Sequence, residues 1–405
     1  MNSKDRQVAG TPGAGPRAPS WMSSELRATA FYFTFFMSNA AAAVYAGIWL
    51  QQEGMSPEQI GIINAVPVLA MLVLNPLVGR LADRAGDWRQ VIIAGAVAAA
   101  VVPFGLFFVN GFWGILAVWA LAVIPVFAIG PVVDAATIRM TRRNGTDFGA
   151  IRAWGSVGYT AIIFVTGYAT AWFGGAVFLP LFVGLAVLRG ALALGLPKFR
   201  ARDQRQAAAG WAPAGRLLQV MRPWFLLPLV GWAMVFGTHM VLNAFAALLW
   251  MEQGIGADVI GLLIAAGALA ESVIMFGFGR LARRFSARGL ILFSSVVAAL
   301  RWAAMGLSPG VEILFGLQLL HAITFAMGFM GCVHFIANWT SEDIAAEAQS
   351  FFQVLQQGMS VITLAAFGWL VAMMGAQAYL VASVFAACGG GLVWLSLRLR
   401  QPKAG

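Results

Sequence analysis

Gly79-Arg80-Leu81-Ala82-Asp83-Arg84-Ala85-Gly86 and Gly279-Arg280-Leu281-Ala282-Arg283-Arg284 are one short basic turn written twice, 200 residues apart. A second pair of segments keeps the same offset. Gln52-Glu53-Gly54-Met55-Ser56-Pro57-Glu58-Gln59-Ile60-Gly61 resembles Glu252-Gln253-Gly254-Ile255-Gly256-Ala257-Asp258-Val259-Ile260-Gly261. Each pair brackets an apolar run of about 20 residues, long enough to cross a hydrocarbon core of roughly 30 Å. A fixed internal period of this kind marks a chain built from two copies of one unit.

Outward from these turns, charge is scarce. Of 405 residues, 60% are hydrophobic and 10% charged, against roughly 45–50% and about 25% in a soluble domain. So few charges exclude a soluble enzyme, a nucleic-acid-binding protein and a disordered chain. Cys332 and Cys388 both lie in apolar runs, so no disulfide framework is expected. Residues 1–25 form a polar tail without the apolar core of a signal peptide.

Twelve apolar runs follow, at about 26–51, 60–80, 90–109, 112–138, 151–172, 176–196, 224–250, 259–280, 289–307, 311–338, 345–371 and 376–397. Lipid offers the backbone no hydrogen bonds, so each run must be a helix. The ten-residue alternation of a barrel is missing. The expected fold is an all-α membrane protein of twelve transmembrane helices. These form two six-helix halves, 26–196 and 224–397, joined by a basic linker at 197–223.

Basic residues set the orientation. Arg80, Arg84 and Arg89 follow run two, Arg139, Arg142 and Arg143 follow run four, and Arg280, Arg283, Arg284 and Arg288 follow run eight. The linker and the tail at 398–405 are basic too, whereas the alternate loops carry Glu53, Glu58, Glu252, Asp258 and Glu312. Cytoplasmic loops hold the excess of Lys and Arg, so both termini are expected inside. The net charge of +10 is thus spent on topology and implies no nucleic-acid partner.

The few ionisable residues left within the runs are costly there and are functional candidates. Glu271 in run eight, Arg301 in run nine and His321 in run ten each lie roughly ten or more residues from an end, near mid-depth at about 1.5 Å per residue. An acid that changes protonation beside a permanent cation suits proton coupling, and imidazole can relay a proton or hydrogen-bond a solute. A static ion pair holding helices together is the bland alternative. The N-terminal half offers Asp134 and Arg152, a pair able to hold hydroxyls or a carboxylate. Tyr159 lies two turns beyond Arg152 on the same face. Asn39 and His239 occupy equivalent positions in the two copies, and Asn243 follows one turn after His239. All three are expected to line a cavity. Arg189 is expected to snorkel towards the cytoplasmic surface. No GxxxxGK[ST] loop and no HExxH or Cys/His metal spacing occurs, so neither direct ATP use nor a cofactor is expected.

The stretch Gly79 to Gly86 resembles the cytoplasmic loop signature of the major facilitator superfamily. There the glycines Gly79 and Gly86 permit close helix approach, and Asp83 and Arg84 pair across helix ends as a gate. Asp134 to Tyr159, with Glu271, Arg301 and His321, resembles the lactose permeases. That resemblance implies substrate binding by the first group and proton coupling by the second. Thr324 stands where those permeases place a glutamate one turn after the histidine. Phe148-Gly149, Arg152-x-Trp154-Gly155-Ser156-Val157, Ala270-Glu271, Ser286-Ala287-Arg288 and Arg301-Trp302 with Met305-Gly306 resemble the 3-phenylpropionate permease family. Transport of an aromatic acid is what this implies. The expectation is therefore a monomeric inner-membrane symporter that takes up a small organic solute with protons. Proton-antiport efflux of drugs or metabolites, and symport of a sugar or nucleoside, are the alternatives.

Overall fold

The computed structural model describes residues 23–199, 221–340 and 342–399. Most of the linker, residues 200–220, and the tails lie outside them. The described residues are helical, with no strand among them.

We number the helices in chain order: α1 (Ser24–Gln52), α2 (Pro57–Arg84), α3 (Trp88–Val101), α4 (Gly111–Asn144), α5 (Phe148–Phe173) and α6 (Phe178–Leu194). Then come α7 (Pro223–Glu252), α8 (Ala257–Arg284), α9 (Ala287–Met305), α10 (Val311–Trp339), α11 (Glu342–Met374) and α12 (Ala378–Arg398). Helix starts are sealed by side chains that accept the first free N–H groups. Ser23 accepts from the Leu26 amide, Asp87 from Arg89 and Asp147 from Gly149. Ser56 and Gln59 close a reciprocal capping box. The doubled sequence reappears in the backbone. Gly54 at φ 79° and Gly254 at φ 83° make the same left-handed turn, α1 to α2 and α7 to α8.

Packing repeats as well. The pairs α1–α5, α1–α6, α2–α4, α3–α4 and α3–α6 recur as α7–α11, α7–α12, α8–α10, α9–α10 and α9–α12. Eleven segments of the described residues are long and apolar enough to cross a membrane, one fewer than the expected twelve. The difference lies at the end of the chain. The last segment, Ala348–Arg398, is 51 residues long and is broken by the turn Gly375–Gln377.

The contacts between the two sets of six helices gather at the end that holds the α1–α2 and α7–α8 turns. A Cβ on Gly61 of α2 would lie 3.2 Å from Gly368 Cα of α11, and one on Gly368 would lie 3.1 Å from Gly61 Cα. On the other side of the cavity, a Cβ on Gly167 of α5 would lie 2.8 Å from the Ala257 carbonyl at the start of α8. Gln51 donates to Glu252 at 2.8 Å across the same end. Missing side chains are what let these backbones touch.

One further glycine is fixed by packing. Gly328 in α10 faces the Trp232 ring so closely that a Cβ would overlap it. Gly328→Ala is expected to destabilise the fold by roughly 1–3 kcal/mol, the usual cost of overpacking, read as a lower melting temperature in detergent. An unchanged melting temperature would show that Trp232, fully buried, can yield.

Candidate functional site

Between the two sets of helices lies a cavity of about 290 Å³, lined from α1, α5, α7, α8 and α10. Its walls include Arg152, Tyr159, Asn243, Glu271 and His321, together with Phe36, Ser156, Thr160, Gln318 and Phe325.

On the α5 wall the Arg152 guanidinium rests on the Phe36 ring, 4.0 Å from its centroid. Its Nε lies 3.9 Å from Asp134 Oδ1, a long ion pair. Asp134 is more firmly held by Tyr32, whose hydroxyl donates to Oδ1 at 2.6 Å. Among the described residues, nothing accepts a hydrogen bond from the terminal nitrogens of Arg152, which are free for an anion in the cavity.

On the opposite wall, donors and acceptors define a network whose protons can be assigned one by one. Arg301 of α9 is fully buried. Its Nη1 lies 3.2 Å from His321 Nδ1 and donates to Thr324 Oγ1 at 3.0 Å, and its Nη2 donates to Gln318 Oε1. A guanidinium only donates, so His321 Nδ1 accepts and the ring proton sits on Nε2. That Nε2 lies 3.6 Å from Glu271 Oε2. Glu271 therefore reaches Arg301 through an imidazole and not directly. Arg301 Nε has no partner, and no carboxylate pairs with Arg301 among the described residues. Behind this cluster, His239 Nδ1 meets the Val235 carbonyl at 2.9 Å and its Nε2 meets Thr324 Oγ1 at 3.0 Å.

Local structure builds this register. Ala322–Met327 of α10 is π-helical, a form that favours functional sites. It begins one residue after His321 and presents Thr324 to Arg301. It also lays the Phe325 ring parallel to His321, with centroids 5.1 Å apart and planes at 7°.

Several expectations require correction. Arg301 and His239 do not touch the cavity. Both are fully buried, one layer behind His321. Asp134 is turned towards Tyr32 and is not on the wall either. Asn39 is half-buried on α1 and absent from the lining, where Phe36 and Val44 take the inward positions. Arg189 does not snorkel. It is 1% exposed, donating to Ser38 and, at 3.0 Å, to the Ala99 carbonyl, so that it ties α6 to α1 and α3. In the basic turn, a Cβ on Gly79 would meet nothing within 4 Å among the described residues, so its missing side chain serves no close contact there. Gly86 is exposed, Arg84 is the exposed last residue of α2, and the Asp83 side chain lies outside the described residues. Asp87 does the anchoring instead: its carboxylate accepts the Phe199 amide at 3.1 Å beyond α6.

Phe36, Phe325 and Gln318 were missed by sequence reasoning. The first two are ordinary members of an aromatic-rich chain. Gln318 carried a usable signal, since it precedes His321 by three positions and shares its face.

Paired helical repeats enclosing a largely apolar cavity that holds an arginine, a glutamate and a histidine define a membrane transporter of the major facilitator type, not an enzyme. The chain belongs to the MFS_1-like family, which it matches over residues 26–394. It is similar to the probable 3-phenylpropionic acid transporter of Escherichia coli (strain K12), with 28% identity over 88% of this chain and 93% of the relative. It is also similar to the maltose permease of Geobacillus stearothermophilus, with 26% identity over 93% and 95%. The crystal structure of the nucleoside transporter NupG superposes with a TM-score of 0.81 at 15% identity, covering 93% of this chain and 100% of that one.

Proposed function

We propose that the chain is a proton-coupled importer of a small aromatic acid, of the type that 3-phenylpropionate represents, working by alternating access. One observation carries the reading: Arg152 faces the cavity with its terminal nitrogens, while its carboxylate neighbour Asp134 stands 3.9 Å from Nε and is held by Tyr32. Arg152 opens its free nitrogens to the cavity and Arg301 stands behind the opposite wall, while Glu271 is the acid on the lining. The open guanidinium edge favours an anion, and Phe36, Tyr159 and Phe325 offer ring faces for its apolar part. Likeness to the phenylpropionic acid transporter supports the same class.

In this reading Arg152, Tyr159, Asn243 and His321 contact the solute, and Asp134 braces Arg152 at long range. Glu271 takes the proton and passes its state to Arg301 through His321. The segment Ala348–Arg398 crosses twice, making twelve spans in two six-helix halves. Both termini are cytoplasmic, and a monomer in the inner membrane suffices. The Gly61–Gly368 end then faces outwards, and the conformation is the inward-open one.

The test is uptake of labelled 3-phenylpropionate into proteoliposomes with an imposed pH gradient. Accumulation that persists after the gradient is collapsed would rule out proton coupling. In the same assay Arg152→Lys is expected to raise KM about tenfold, roughly 1.4 kcal/mol, because an ammonium neither forks onto a carboxylate nor lies flat on Phe36. An unchanged KM would remove Arg152 from the solute site.

A further inference from the structure

His239 makes no contact with the cavity, yet it is a fully buried imidazole 5.4 Å, ring to ring, from His321. We propose that His239 is a positioning residue for the proton-coupling site: it turns the Thr324 hydroxyl so that Arg301 keeps an acceptor there and stays aimed at His321. The inference rests on the proton-coupling reading only for its consequence in transport; the geometry stands apart from it.

The protons dictate the arrangement. A carbonyl only accepts, so the 2.9 Å contact with Val235 puts the His239 proton on Nδ1. Nε2 is then bare and takes the Thr324 hydroxyl proton at 3.0 Å. This leaves the oxygen lone pairs of Thr324 facing Arg301 Nη1, 3.0 Å away. The other Nη1 proton goes to His321 Nδ1 at 3.2 Å. One nitrogen thus divides its two protons between the hydroxyl that His239 orients and the imidazole that faces Glu271. The His239 ring itself is held between Trp302 at 5.1 Å and Phe325 at 5.4 Å. The titratable or charged groups gathered here are Glu271 of α8, Arg301 of α9, His321 of α10 and the phenols of Tyr379 on α12 and Tyr159 on α5.

The chain has three histidines, which allows a direct reading. Nitrogen-15 spectra of histidine-labelled protein in lipid nanodiscs should show His239 with its proton on Nδ1 and His321 with its proton on Nε2. Thr324→Val, which keeps the shape and removes the hydroxyl, should shift the His321 ring nitrogens and their response to pH. His239→Leu should do the same in part. His239→Gln, whose carbonyl can still accept from Thr324, and Thr324→Ser should stay near the parent. His334, remote from the cluster, reports on folding and should not move. In proteoliposomes, pH-driven uptake of 3-phenylpropionate should fall about fivefold in Thr324→Val while exchange without a gradient is kept. His321 signals that stay at the parent positions in both Thr324→Val and His239→Leu would overturn the assignment, as would His334 moving with them. Shifted His321 signals in a protein whose uptake ignores the pH gradient would leave the positioning role intact and remove the proton-coupling reading instead.

Discussion

Glu271→Gln is expected to abolish uphill uptake and to leave solute exchange. Glutamine has the shape of the protonated acid and cannot change its charge state, so the variant is held as if loaded with a proton. Glu271 is the lining carboxylate, 3.6 Å from His321 Nε2, and among the described residues His321 links it to Arg301. In the parent, losing the proton restores an anion that attracts the imidazole N–H and, through it, the cation. Without that step the empty carrier cannot return against a gradient. Accumulation should drop by roughly a hundredfold, about 2.8 kcal/mol at 1.4 kcal/mol per decade. Exchange of labelled for unlabelled solute should stay within about threefold, since it needs no net proton movement. A Glu271→Gln variant that still concentrates solute would move the proton to another group.

The second large effect is expected where the two halves touch. Gly61 and Gly368 meet backbone to backbone, each with a Cβ position 3.1–3.2 Å from the other's Cα. Valine at either site inserts a branched side chain into that seam, and both neighbours are helix backbone that cannot yield as a side chain can. Gly61→Val and Gly368→Val should therefore hold the α1–α2 end open and cut transport by tenfold or more, on the order of 1.4 kcal/mol or above. A cysteine pair replacing Gln51 and Glu252, which touch at 2.8 Å in this closed end, reports the change. With Cys332 and Cys388 replaced, it should cross-link readily in the parent and poorly in either valine variant. Equal cross-linking in all three would show that the seam tolerates the bulk.

How far the sequence carried this picture depended on the kind of signal. Helices and repeats were legible because lipid enforces them: an apolar run has no structure open to it but a helix, and Gly54 and Gly254 do adopt the same left-handed turn. Glu271, Arg301 and His321 were legible as a cluster because charge is scarce in such runs, and the structure does bring them together. Which of them faces the cavity was not legible. Depth along a helix follows from counting, but rotation about its axis follows from packing, so Arg301 and His239 turned inward into the bundle while His321 reached the wall. Symmetry held at Asn39 without placing it on the wall: like its counterpart His239 it is missing from the lining, where Phe36 and Val44 take the inward positions of α1. Arg189 misled for a related reason: the Ser38 hydroxyl and the Ala99 carbonyl accept from its two terminal nitrogens inside the bundle and hold the side chain away from the surface. The basic turn was found by its glycines, yet Gly79 meets no described residue there, and the glycine contacts between the two sets of helices, such as Gly61–Gly368, lie at the other end.

The pattern of donors around Arg301 bears on leakage. Every hydrogen bond it makes points outward, to His321, Thr324 and Gln318. A guanidinium does not surrender a proton and has no lone pair with which to receive one. His321 already carries its proton on the nitrogen that faces Glu271, and its other nitrogen accepts from Arg301, so these hydrogen bonds offer no route for a proton from Glu271 onward to Thr324 and His239. Arg301 therefore breaks the proton path through this cluster and keeps the Glu271 side of it apart from the Thr324 and His239 side.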